Sequence, residues 1–191
     1  MDVFLSASVP LPSRNKVYYE TIDLLALREA LKALAEYVLP IGRLTYGGHP
    51  AITPLLALFA QQAKLDRSKF TLFQSAIFDG FREEAMPEEN ALFADLRVVP
   101  APSFDKVENL RAMRTAMITS QKFDAAVVIG GMDGCLEELK LFKEHHPGAQ
   151  ILPVATTGAA ARMIFESGTY DPILARSRTY PTIFRRLLKV A

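Results

Sequence analysis

Hydrophobic residues along this chain form short continuous runs that alternate with segments of helical periodicity. The runs that begin at Val3 and Ala125 are almost wholly apolar, which is typical of strands buried on both faces of a parallel sheet. Strands alternating with helices at this spacing predict a sheet covered on both sides, that is, a Rossmann-like doubly wound α/β fold. The predicted strands are 3–6, 43–46, 70–75, 96–99, 125–129 and 151–155.

The helical segments are marked by their ends as well as by their periodicity. Thr21 or Asp23 is suited to cap a helix over 24–38, which Pro40 ends. Pro50 fits the first turn of a helix that continues to Phe59. Further helices are predicted over 106–119, after 134, after 158 and over 182–190, whereas the acidic segment 78–90 is predicted to be a surface excursion. No repeat or linker interrupts the order, so we expect one domain over 1–191.

Four predicted strands run directly into turns of small residues. These turns follow Ser6, Tyr46, Ile129 and Ala155. In an open parallel sheet, ligands bind at the carboxyl ends of the strands, where the strand order reverses. The sequence therefore predicts a ligand site at this edge of the sheet.

The turn after Ile129 has the composition of an anion site. Gly130-Gly131-Met132-Asp133-Gly134 connects a buried strand to an amphipathic helix. Glycines allow a close approach to the backbone, and the free N–H groups of the helix point at whatever lies there, so a phosphate is the expected guest. A tight turn without a ligand explains the segment equally well. Gly47-Gly48-His49 is a second turn of similar construction.

Several common chemistries are disfavoured by these motifs. Neither glycine turn has the spacing of the dinucleotide fingerprint or the Lys-Ser/Thr of a Walker loop. The three histidines and single cysteine show no metal-ligand spacing, and no Gly-x-Ser-x-Gly elbow occurs. We therefore predict neither a cofactor nor a metal.

Composition limits the choice of partner and compartment. The net charge of +1 gives no reason to expect a nucleic acid. A lone cysteine, Cys135, forms no intrachain disulfide. There is no apolar run of membrane-spanning length and no basic segment at the N-terminus. A cytoplasmic protein without a membrane partner is expected.

Charged residues near the predicted edge supply the candidate chemistry. Arg114 lies beside the apolar stripe of its helix, where it either reaches inward to bind a phosphate or covers the surface. Glu137 and Glu138 lie in the first turns of the helix after Gly134. They either complement the helix dipole or direct a carboxylate at a sugar carbon.

These residues resemble the motifs of the SLOG superfamily, which includes the LOG-type, lysine decarboxylase-like phosphoribohydrolases. LOG enzymes carry a Met-Arg-x-x-Lys helix motif and a Pro-Gly-Gly-x-Gly-Thr-x-x-Glu motif after the next strand. Met113-Arg114 matches the start of the first, and Gly130, Gly131, Gly134 and Glu138 match most of the second. Ile129 replaces the proline, Cys135 replaces the threonine, Thr115-Ala116-Met117 replaces the basic tail, and one extra residue separates the glycines.

The resemblance extends from Val3 to about Phe165 and is greatest to the SLOG subgroups of nucleotide signalling and prokaryotic conflict. It implies a site for a nucleotide or nucleotide-sugar phosphate, such as a nucleoside monophosphate or a relative of ADP-ribose. A sensor or binding domain is one interpretation, and a phosphoribohydrolase that cleaves an N-glycosidic bond is the other. The extra residue shifts the glycine turn relative to Glu138, which favours binding.

The implied catalytic residues are Glu138 and Arg114. A homodimer is also implied, for which the C-terminal helix with Ile183, Leu187 and Leu188 is a candidate contact, and a sensor would need a separate effector protein. The implied ligand-binding residues are Ser6, Ser8, Gly47, Gly48, His49, Thr53, Arg114, Gly130, Gly131, Met132, Gly134, Thr156, Thr157 and Gly158.

Overall fold

Six parallel strands form the centre of the protein. The structure is a computed structural model that describes residues 1–13, 15–78, 90 and 93–189. The strands are β1 (Asp2–Ser8), β2 (Arg43–Tyr46), β3 (Phe70–Ser75), β4 (Asp95–Val99), β5 (Ala125–Gly130) and β6 (Gln150–Val154). They are ordered β4-β3-β2-β1-β5-β6, and every neighbouring pair is parallel.

Helices connect most consecutive strands, as is usual for parallel pairs, whereas most of the connection from β3 to β4 lies outside the described residues. They are α1 (Lys16–Thr21), α2 (Leu24–Val38), α3 (Thr53–Gln62), α4 (Lys106–Ile118), α5 (Asp133–His145), α6 (Ala159–Glu166), α7 (Ile173–Arg176) and α8 (Tyr180–Leu187). Short 3₁₀ turns occupy Arg67–Lys69, Ala76–Phe78 and Ala155–Thr157.

Alternate residues of the strands supply two apolar layers. On one face, Val3 and Leu5 of β1 join the buried leucines of α2 and residues of α3 and α8. On the other face, Phe4 stacks on Phe142 of α5 at a centroid distance of 5.5 Å, among the buried methionines of α4. A smaller cluster packs Tyr18 of α1 against Val128 and the alanines of α6. The central strands β1 and β5 are thus buried on both faces, which explains their apolar runs, whereas the edge strand β4 is partly exposed.

The predicted Rossmann-like sheet is confirmed, with strand bounds within two residues of those expected, and three features differ. Pro50 lies in the turn before α3, which begins at Thr53 and has Pro54 in its first turn. Helices α1 and α7 were not predicted, because six and four residues are too few to show a helical period. The C-terminal helix begins earlier than expected, at Tyr180. Most of the predicted 78–90 excursion lies outside the described residues.

The start of α2 provides a test of local stability. The Asp23 carboxylate accepts a hydrogen bond from the Ala26 N–H at 2.9 Å, and this bond is the main cause that lowers the pKa of Asp23. Substitution Asp23→Ala is expected to reduce the free energy of unfolding by about 1 kcal/mol at neutral pH, because the cap is lost. Because the folded-state pKa is lowered, the stabilisation is present above the ordinary pKa of 3.8 and is lost as the pH falls below it.

Urea denaturation of Asp23→Ala beside Asp23→Asn measures this contribution. Asparagine caps helices about as well as aspartate, so Asp23→Asn should retain most of the stability. Equal losses in both variants would show that the charge of Asp23, rather than its cap, stabilises the helix.

Candidate functional site

The strand order reverses between β1 and β5. The chain places β2, β3 and β4 on one side of β1, and β5 and β6 on the other. Ser8 at the end of β1 is in register with Gly130 at the end of β5. The loops after these two strands therefore diverge, and the crevice between such loops is where open parallel sheets bind ligands.

The first two glycines of the turn after β5 are held by the protein itself. The Gly130 N–H donates to Thr157 Oγ1 at 2.8 Å, and the Gly131 N–H donates to the Ser8 carbonyl at 2.9 Å. Both residues have positive φ, 61° and 98°, which favours glycine. A side chain at Gly131 would approach Cys135 Sγ to 2.6 Å. In this structure, Gly130 and Gly131 shape the turn and their amides face protein acceptors.

The amides of the next residues remain for a ligand. Met132 precedes α5 and its side chain makes no capping hydrogen bond. Within the part of the chain that the structure describes, the N–H groups of Asp133 and Gly134 have no acceptor. Such free amides carry the positive end of the helix dipole, so this end of α5 favours an anion.

Arg114 of α4 lies directly beside this helix start. Its Nη2 atom would be 2.8 Å from a side-chain carbon at Gly134, so the glycine leaves the room that the guanidinium occupies. The Arg114 side chain is only 14% exposed. The inward position, one of the two alternatives open at the sequence level, is therefore the one observed.

Two carboxylates share the guanidinium of Arg114. Nη1 donates to Glu137 Oε2, whose side chain is 57% exposed, and Nε lies 3.7 Å from Glu138 Oε1. The Nε–H is buried and has no hydrogen-bond partner among the described residues. A buried donor without an acceptor is costly, so this atom marks a place where a ligand oxygen would be stabilising.

Ser6 and Glu138 form a contact that joins β1 to α5. Ser6 Oγ donates to Glu138 Oε2 at 2.5 Å. Burial raises the pKa of Glu138, and the hydrogen bond from Ser6 and the charge of Arg114 oppose the shift. Ser6, predicted to bind a ligand, thus holds the candidate catalytic carboxyl group in place.

Helix α1 covers the same turn from above, which the sequence did not indicate. The Tyr18 hydroxyl donates to Asp133 Oδ1 at 2.7 Å, and burial followed by this bond raises the pKa of Tyr18 to about 12. Cys135 is buried 3.9 Å from Ser8 Oγ, and burial raises the pKa of its thiol to about 11. Ser8 and Cys135 therefore face each other inside the protein, and a thiol of this pKa is a poor nucleophile.

The second glycine turn lies on the far side of β1. Gly47 faces Met113 and Met117 of α4, and Gly48 lies against Gln74 of β3. Thr53 is fully buried and accepts hydrogen bonds from the Tyr46 hydroxyl at 2.9 Å and the His49 N–H at 3.2 Å. In this structure Thr53 fastens the turn to α3.

The last of the four predicted turns, Thr156-Thr157-Gly158, opens onto a different concavity. A cavity of about 830 Å³ lies at the carboxyl end of β6, between the junction of α1 and α2 and the segment from α6 to α7. Thr156 and Gly158 line it, whereas Ser6, Arg114 and Glu138 do not. The structure thus groups the predicted residues into the Arg114–Glu138 cluster with its glycine turn, the Gly47–Thr53 turn, and this cavity.

Two further observations concern metals and membranes. The described residues contain no group of three or more His, Cys, Asp or Glu side chains arranged to hold a metal ion. Among the helices of the same residues, none combines the length and apolar character needed to cross a bilayer.

A protein-family model matches the sequence of this chain, and a solved structure matches its fold. The crystal structure of TM1055 superposes with a TM-score of 0.55 at 15% identity, over 91% of this chain and 88% of that one. At this identity the likeness concerns the fold. No curated protein sequence matches significantly. The model of the SLOG cluster3 family matches residues 17–188, nearly the whole chain, and the protein therefore belongs to the SLOG cluster3 family.

Proposed function

We propose that the protein binds a nucleotide or nucleotide-sugar phosphate at the crevice between β1 and β5. One observation carries the proposal: the buried guanidinium of Arg114 lies beside the start of α5, where its Nε–H and the N–H groups of Asp133 and Gly134 have no hydrogen-bond acceptor among the described residues. Arginine and a helix N-terminus are both suited to a phosphate, which accepts several charge-assisted hydrogen bonds. Membership of the SLOG cluster3 family supports a nucleotide-related ligand.

The charges of the cluster define what an incoming phosphate must do. Glu137 and Glu138 both lie against Arg114. Glu137 is largely exposed, so water can solvate it once it leaves the guanidinium. A phosphate that replaces Glu137 on Arg114 would meet the amides of Asp133 and Gly134 on its other side.

A phosphoribohydrolase activity is the second candidate, and the environment of Glu138 favours it. The Glu138 side chain is 14% exposed, its carboxyl group accepts a hydrogen bond from the Ser6 hydroxyl, and burial raises its pKa. A buried carboxyl group with a raised pKa is suited to acid–base work, and its ionised form stabilises an oxocarbenium-like sugar. Catalysis would need the N-glycosidic bond of the ligand to lie at this carboxyl group.

The two functions imply different surroundings for the protein. A binding or sensing domain passes its signal to a separate effector protein or through a homodimer, whereas a hydrolase acts alone on its substrate. We propose the sensing role, because the start of α5 and Arg114 suffice for binding without catalysis. The proposed compartment is the cytoplasm.

A thermal-shift screen against AMP, ADP, ADP-ribose, cyclic ADP-ribose, NAD and ribose 5-phosphate tests the proposal. At a concentration of 100 times Kd, a bound ligand stabilises the folded protein by about 2.7 kcal/mol, which is readily measured. Each stabilising compound is then incubated with the protein and analysed by chromatography. Recovery of intact ligand supports binding, and release of free base supports hydrolysis.

Glu138→Gln separates the two functions. In a hydrolase, this variant should lose at least about a hundredfold in turnover while it still binds the ligand. In a binding domain, neither protein shows turnover and the affinity persists. Glu144→Gln, at an exposed position of the same helix, is the matched control. No shift with any of the six compounds would contradict the proposed nucleotide ligand.

A further inference from the structure

The cavity at the carboxyl end of β6 has the size of a small-molecule site. Its volume is about 830 Å³, within the range of pockets that enclose cofactor-sized ligands. Its lining comes from the end of α1, the start of α2, the turn after β6, α6, α7 and the residues just after α7. Residues distant in sequence thus meet around one concavity.

Arginines dominate the charge of this cavity. Arg162, Arg176 and Arg178 line it together with Asp23 and Glu166, which gives the lining a net charge of +1. Arg178 Nη1 lies 2.8 Å from Asp23, and Arg162 Nε lies 2.9 Å from Glu166. Arg176 has no ion pair among the described residues.

The carboxylates that balance the other two arginines have little further capacity. One oxygen of Asp23 accepts the Ala26 N–H and the other faces Arg178. Asp23 thus offsets Arg178, and Arg176, two positions earlier on the same segment, supplies the positive charge that the lining does not neutralise. A tetrahedral phosphate can accept hydrogen bonds from both guanidinium groups at once.

The rest of the lining suits an organic group beside the phosphate. Ile22, Ala155 and Phe165 give part of the wall an apolar character, and the Thr156 hydroxyl lies 3.1 Å from that of Tyr180. Small-molecule sites commonly combine apolar walls with a few polar groups in this way.

We propose that this cavity is a second binding site, for a small phosphorylated molecule whose phosphate contacts Arg176 and Arg178. Its organic part lies against Phe165 and Ile22. The site is independent of the ligand at Arg114, since the two clusters share no residue. The hydrogen bond from the Gly130 N–H to Thr157 joins the turn at this cavity to the turn at the other site.

Phenyl phosphate is a suitable probe because it combines a phosphate with an apolar ring. Titration into ¹⁵N-labelled Arg114→Gln protein, followed by NMR, should produce saturable shifts at the Thr156 and Gly158 amides. This variant lacks the guanidinium that would bind a phosphate at the first site. The result therefore does not depend on whether the proposed function at Arg114 is correct. Benzoate should bind more weakly if a phosphate is required, and inorganic phosphate more weakly if the apolar wall contributes.

Arg176→Gln, in the same background, should weaken phenyl phosphate binding about tenfold, the usual effect of losing a charged hydrogen bond. Arg67→Gln is the matched control, because Arg67 is exposed and lies just before the amino end of β3, whereas the cavity lies at the carboxyl end of β6. Ala175→Phe, which adds bulk to the lining without changing charge, should also weaken binding. Absence of saturable shifts at Thr156 and Gly158, or equal affinity in Arg176→Gln and Arg67→Gln, would overturn the proposal.

Discussion

Replacement of Arg114 by glutamine is expected to weaken the binding of a nucleotide phosphate by about tenfold or more. A hydrogen bond between charged groups contributes about 1.5–3 kcal/mol, and the buried position of Arg114 limits the compensation that water can provide. Isothermal titration of the wild type and the variant, with whichever compound stabilises the protein, measures the effect directly.

Glu137→Gln supplies a control of opposite sign. Glu137 contacts the guanidinium that the phosphate would bind, so removal of its charge should raise the affinity several-fold. Arg111→Gln, at an exposed position of the same helix, should leave the affinity unchanged. Loss of binding in Arg111→Gln to the extent seen in Arg114→Gln would indicate a general effect of net charge and contradict the placement of the ligand.

The opposite responses expected for Arg114 and Glu137 follow from a contact that the sequence does not display. Periodicity places Arg114 beside an apolar stripe, but whether its side chain turns inward depends on the helix packed against it. Gly134 permits the inward position, because a side-chain carbon there would approach Arg114 Nη2 to 2.8 Å. The residue types were therefore predictable, and their contact required the packing of α4 on α5.

The sheet was predictable for a related physical reason. A strand such as Ala125–Gly130 is buried on both faces, so every position of the run has a residue type suited to burial. Helix α1 is different: only Tyr18 is buried over its six residues, which leaves no period to detect. Its cover over the glycine turn, through Tyr18 and Asp133, therefore emerged only from the structure.

For the glycine turns too, the sequence predicted the conformation of the backbone but not the groups that its amides contact. Their composition predicted close approach of the backbone, and Gly130 and Gly131 do have positive φ. The partners of their amides are Thr157 in the turn after β6 and the Ser8 carbonyl at the end of β1. A motif in sequence thus specifies that a turn is tight, while the topology determines whether its amides face a ligand or the protein.

The largest effect on stability is expected from Gly158→Ala. Gly158 has φ 76° and ψ −161°. Residues other than glycine rarely adopt this backbone conformation, because it costs them about 1–3 kcal/mol. A side-chain carbon there would lie 1.9 Å from the Thr21 carbonyl oxygen, a backbone atom that cannot move aside without shifting the end of α1. The two effects together should reduce the free energy of unfolding by about 3 kcal/mol or more.

Thermal unfolding of Gly158→Ala should therefore show a midpoint about 10 °C below that of the wild type, since each kcal/mol shifts the midpoint of a protein of this size by about 2–4 °C. Gly148→Ala is the matched control, because a side chain at Gly148 would meet nothing within 4 Å. Its stability should stay within about 0.5 kcal/mol of the wild type. An unchanged midpoint in Gly158→Ala would show that the end of α1 can move away from this turn. Thr21 and Gly158 also line the cavity at the end of β6, so in that case this part of the cavity wall can change shape.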